Sequence, residues 1–116
     1  MQVVCCYFVT DSGRIPVKEF VNSLDMRSRK KFFSVTELLE TFGRALSFPH
    51  AKYIGDEIFE LRFEGIEGTI RILYFFFDGE KSILTNGFLK KSNRTPREEK
   101  ETAIHRREIY FKRKGV

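Results

Sequence analysis

The chain reads as one α+β domain in the order β-α-α-β-β-β-α, with two helices packed on a mainly antiparallel sheet and a further helix at the C-terminus. Three observations predict it. Residues 57–88 hold three β-rich runs separated by short glycine-bearing turns, the pattern of an antiparallel meander. Residues 25–42 carry apolar side chains at three- and four-residue spacing, as a helix with one buried face does. The 116 residues, 41% hydrophobic, suffice for one core, and thirteen phenylalanines without a tryptophan supply much of its bulk.

In chain order, residues 2–10, QVVCCYFVT, are rich in β-formers and stop at Asp11-Ser12-Gly13, a turn signal. Pro16 suits the first turn of a short helix ending near residue 24. Asp25 is placed to cap a second helix closed by Gly43, whose Phe32, Val35, Leu38, Leu39 and Phe42 face the core. Arg27, Arg29, Lys30 and Lys31 read as its solvated face. Residues 44–56, with Pro49 and Gly55, read as a loop. Strands at 57–63, 69–77 and 81–88 follow, the last two joined by an Asp78-Gly79 hairpin turn. Thr95 as cap, Pro96 first and Glu98 third predict a capping box opening a final helix that runs to about residue 111.

Charge is unevenly placed. The chain carries +5 overall, but residues 87–116 hold ten Lys and Arg against four Glu, so the basic character belongs to the C-terminal quarter and suggests an acidic partner such as nucleic acid. Cys5 and Cys6 are adjacent, point to opposite faces of a strand and read as free thiols in a reducing cytoplasm. No charged segment precedes the apolar N-terminus and no run reaches the length of a membrane span, so a cytoplasmic protein without a membrane anchor is expected.

The order of elements and the residues decorating it resemble the RelE/HigB superfamily of bacterial toxins, most closely its phage-derived Gp49-like branch. The resemblance rests on GRIPVKEFVNSLD at 13–25, TELLETFG at 36–43, EIFELRF at 57–63 and TIRILYFF at 69–76. Its most specific part is GFLKKSNRTPREEKETA at 87–103, a form of the branch's glycine-aromatic-x-Lys-Lys…Thr-Pro…Glu…Ala pattern. The chain departs from that pattern at Lys100, where an aliphatic is usual, and at Asn86, where a histidine is common. The resemblance implies a RelE/ParE-like fold and the toxin of a type II toxin–antitoxin module. It further implies that the protein cleaves messenger RNA on the ribosome and is silenced by a helix-turn-helix antitoxin.

Such cleavage proceeds by attack of the RNA 2′-hydroxyl on the adjacent phosphate. It needs a base for the 2′ proton, positive charge for the phosphorane and an acid for the 5′ oxygen. The two histidines, His50 in a predicted loop and His105 in the last helix, do not suggest a cooperating pair. Cations are the alternative. Arg71 matches the arginine that the superfamily keeps on its sheet and is suited to bind the scissile phosphate. Lys90 and Lys91 end the last strand on opposite sides, so one enters the site, and the pattern leaves open which. A lysine crowded by other cations has a lowered pKa and can serve as the base. Arg62 shares a strand face with Glu60 and is either that carboxylate's partner or a further catalytic cation.

Lys52 matches a region where the superfamily carries RNA-contacting lysines, and Arg94 precedes the last helix, whose N-terminus also favours an anion. Tyr110 is placed to stack on a base or donate a proton, or else to pack the helix on the core. Arg106 and Arg107 are placed for phosphate contact with ribosomal RNA, or for solvation. No cofactor is called for: the sequence shows neither a metal-ligand spacing nor a glycine-rich nucleotide loop. Two alternatives remain on the same fold, an inhibitor of a protein target such as gyrase and an inactive prophage relic that only binds RNA or antitoxin.

Overall fold

A computed structural model describes residues 2–92 and 94–116. Its elements are β1 (Val4–Tyr7), α1 (Pro16–Asn22), α2 (Met26–Phe42), a 3-10 turn (Gly43–Ala45), β2 (Ala51–Gly55), β3 (Ile58–Gly65), β4 (Gly68–Phe77), β5 (Lys81–Leu89) and α3 (Arg97–Arg113). One five-stranded sheet has the order β1-β5-β4-β3-β2, with β1 parallel to β5 and every other pair antiparallel.

The period-2 alternation of β4 divides its side chains between two cores. Ile70, Ile72, Tyr74 and Phe76 meet Val17 and Val21 of α1 and Phe32, Val35 and Leu39 of α2. Leu73 and Phe75 join Ile58, Ile83, Phe88 and Ala103 beneath α3. The meander and both long helices fall where the sequence places them. Asp25 caps α2 by accepting from the Arg27 N–H at 2.9 Å.

Three expectations are corrected. Residues 44–56 are not all loop, because Ala51–Gly55 pairs with β3 as an edge strand. Its five residues are too few to show alternation, and only Ala51 is buried. Thr95 does not cap α3; Pro96 occupies the cap position without a side-chain bond, and the Thr95 hydroxyl donates instead to Glu60 Oε2 at 2.5 Å. The charge-assisted bond to the buried carboxylate holds the Thr95 side chain against the sheet, away from the backbone N–H groups that a capping box would have it accept from. Phe42, assigned to the core stripe, is 47% exposed at the last position of α2.

Two features of β5 shape the α3 side of the sheet and the packing of α1. Thr85 is an extra residue in the pairing with β4: Tyr74 lies opposite Leu84, but Leu73 lies opposite Asn86. The bulge reverses the phase of the strand beyond it, so Asn86, Phe88 and Lys90 share the α3 face with Ile83. Gly87 lets α1 approach, since a Cβ there would lie 2.5 Å from Phe20 Cδ2 and 2.7 Å from Ile72 Cδ1. Gly87→Ala is expected to cost about 1–3 kcal/mol by overpacking, read as a lower urea midpoint at unchanged slope.

Candidate functional site

α3 covers only part of its face of the sheet. Beyond Leu73 the same face continues through Arg71 on β4, Glu60 and Arg62 on β3, Lys52 on β2 and Lys90 at the end of β5. Arg62 and Arg71 are directly opposite each other in the β3–β4 register. Like charges so placed are destabilising, which makes the pair a feature that packing alone does not require.

Glu60 stands at the centre. It is fully buried, and its Oε1 lies 3.6 Å from Arg71 Nε, 3.9 Å from Lys90 Nζ and 4.0 Å from Arg62 Nη1. Its other oxygen accepts a hydrogen bond from the Thr95 hydroxyl, tying the turn before α3 to the sheet. Among the described residues, neither Glu60 Oε1 nor Arg71 Nε finds a hydrogen-bond partner. One carboxylate thus holds three cations near without saturating their donors. The cluster keeps an excess of positive charge.

A cleft of about 310 Å³ opens over these cations, lined by Arg62, Arg71, Lys90, Lys91 and the hydroxyl residues Thr69 and Ser92. Burial lowers the Arg71 pKa from its ordinary value, with the neighbouring Arg62 adding to the effect and Glu60 opposing it. Lys90 is lowered too, again chiefly by burial; Glu60 counteracts this while Arg71, Arg62 and Lys52 reinforce it. The direction is the one cation crowding predicts, but desolvation is the larger cause. Such a site offers an oxyanion fixed charge, a planar guanidinium and a lysine whose protonated form is disfavoured.

The bulge at Thr85 sets the two lysines apart, although both line the cleft. Lys90 lies on the inner face with its side chain only 8% exposed, whereas Lys91 is exposed at the mouth. Arg62 lies 4.0 Å from Glu60, as the carboxylate-partner reading expects, and it also lines the cleft. Lys52 is opposite Glu60 in the register but its side chain is exposed and lines a neighbouring cleft. Arg94 is exposed in the turn before α3.

The remaining candidates lie on α3, away from this cleft's described lining. Arg106 donates to the Thr85 carbonyl at 2.9 Å and stacks over Phe8; Arg107 stacks over Phe111; Tyr110 packs edge-on against Phe75 and Phe77. Asn86 also has a structural task, donating from Nδ2 to the Glu99 carbonyl and to Glu99 Oε1. Lys100 pairs with Asp56 at 3.0 Å across the β2–β3 turn. Both departures from the branch pattern therefore fasten α3 to the sheet.

The residue that sequence reasoning missed is Glu60 as the hub, together with Thr95 as its tether. A glutamate two residues before an arginine signals a shared strand face, but nothing local signals full burial. Among the described residues, no three His, Cys, Asp or Glu side chains gather as a metal site. No described helix is long and apolar enough to cross a membrane. The family described as Phage derived protein Gp49-like (DUF891) matches the chain over residues 19–108. No curated protein gives a significant match.

Proposed function

Because the chain belongs to the Gp49-like family of phage-derived proteins, a RelE/HigB-like toxin branch, we propose that it is the toxin of a type II toxin–antitoxin module that cleaves messenger RNA on the ribosome. The observation that carries this reading is the gathering of Arg71, Arg62 and Lys90 around one open cleft, with donors left over for a phosphate. An inhibitor that only binds a protein has no need of such a cluster.

In this reading Arg71 and Arg62 hold the scissile phosphate and stabilise the dianionic phosphorane. Neutral Lys90 takes the 2′ proton as the 2′ oxygen bonds to phosphorus. The P–O5′ bond then breaks, and the Lys91 ammonium returns a proton to the departing 5′ oxygen. The products are a 2′,3′-cyclic phosphate and a 5′-hydroxyl. The buried position of Lys90 favours its neutral form and so supports the base role. A partner antitoxin silences the enzyme by placing acidic side chains over this cleft.

Primer extension on a defined message in a translating extract tests the proposal. Cuts are expected only when ribosomes are present, and Lys90→Met is expected to slow them by about 10²–10⁴-fold. Single-turnover cleavage should quicken with rising pH up to the depressed pKa of Lys90, because only the deprotonated amine accepts the 2′ proton. The residual rate of Lys90→Met should lack that rise. Intact message with folded wild-type protein overturns the reading.

A further inference from the structure

We propose that Phe48 is a nucleobase-stacking platform beside the anion cleft, so that the site takes single-stranded RNA by one phosphate and an adjacent unpaired base. The inference rests on the RNA-cleaving function and extends it to how the strand is gripped. Phe48 lies between the 3-10 turn and β2 and is 67% exposed, among the most exposed large apolar side chains of the chain. The Arg62 guanidinium lies over its ring at 4.7 Å. That contact covers one face of the ring and leaves the rest open.

Phe48 also stands where two clefts meet. One, of about 370 Å³, includes Arg62, Arg71 and His50. The other, of about 360 Å³, includes Lys52, Tyr53 and Arg44. Arg62 and Arg71 line both the first of these and the anion cleft. A continuous path therefore leads from the phosphate position, past the guanidinium, to an exposed aromatic ring, with further cations on the far side. Single-stranded nucleic acid is gripped by this combination of a basic groove and an aromatic face, because every base has a π surface to stack. The Arg62 stack holds the ring in place and extends the platform, since guanidinium planes stack on bases as aromatics do. His50 and Glu64, both exposed on the Arg71 side, supply polar groups toward the edge of a stacked base.

The test is fluorescence anisotropy at low salt, without ribosomes, using a short single-stranded RNA and an abasic ribose-phosphate chain of equal length. Wild type is expected to bind the base-bearing RNA about tenfold or more tightly than the abasic chain. Phe48→Ala should lose that preference while binding the abasic chain as wild type does, and Phe48→Tyr should retain it. Arg71→Gln should weaken both ligands together. Equal affinity of wild type for the two chains, or a preference that survives in Phe48→Ala, overturns the platform and leaves the anion cleft standing. Binding of neither chain also overturns the platform, whereas the cleavage reading stands or falls on the ribosome-dependent primer extension.

Discussion

Arg71→Gln is expected to reduce ribosome-dependent cleavage roughly 10²–10³-fold, the usual cost of removing one preorganised donor from a developing oxyanion, while leaving the fold as stable as before or more so. The two halves of this expectation have one cause. Arg71 is a buried cation whose charged form is disfavoured by desolvation and by Arg62 directly across the strand pair. Three cations share the single carboxylate of Glu60, so removing one lowers the local excess of charge rather than stranding an ion. A side chain held at such cost is explained by what it binds, and this is the usual trade of stability for activity. Primer extension gives the rate and thermal unfolding gives the stability. Arg71→Lys separates charge from shape: it keeps the cation but loses the planar fork, so most of the activity should still be lost. A marked fall in Tm for Arg71→Gln, or full activity in either variant, would count against the assignment.

The fold is legible in the sequence where local chemistry and tertiary structure agree. The meander from residue 57 to 88 and the capped α2 are written as alternation, turn residues and a three-to-four spacing, and each lies where those signals put it. β2 is hidden because an edge strand of five residues buries only Ala51 and owes its conformation to pairing with β3. The site is legible as a set of residues but not as an arrangement. Arg71 and the Lys90-Lys91 pair stand out by residue type and position, yet the choice between the lysines depends on the bulge at Thr85. Gly87 inside the strand is only a weak bulge signal, and the position of the extra residue is set by the register of β4 against β5, a non-local quantity. The role of Thr95 is hidden for a similar reason, since its acceptor lies 35 residues away on β3.

Glu60→Gln is expected to be the most destabilising single change in the cleft, costing about 3–5 kcal/mol out of a total on the order of 5–15 kcal/mol for a domain. The substitution preserves shape and an acceptor for Thr95 but leaves Arg62, Arg71 and Lys90 facing one another without a counter-ion. Its consequence for Lys90 has a definite sign. Glu60 is the group that raises the Lys90 pKa against burial, so its loss lowers that pKa further below the ordinary 10.5. Between the folded and unfolded values the unfolded chain binds more protons, so stability must rise with pH across that window. The window should be wider in Glu60→Gln than in wild type. An anion in the cleft replaces the missing charge, and by linkage inorganic phosphate should raise the Tm of Glu60→Gln more than that of wild type at equal ionic strength. Comparison with wild type in the same buffer removes the general salting effect of phosphate, which acts on both. Urea unfolding from neutral to alkaline pH reads the first two effects, and thermal unfolding with and without phosphate reads the third. If Glu60→Gln unfolds like wild type and is indifferent to phosphate, Glu60 does not hold the cations together and the cleft is not built for an anion. If phosphate restores the variant, the cations that Glu60 holds together can be neutralised by a phosphate group in the cleft above them.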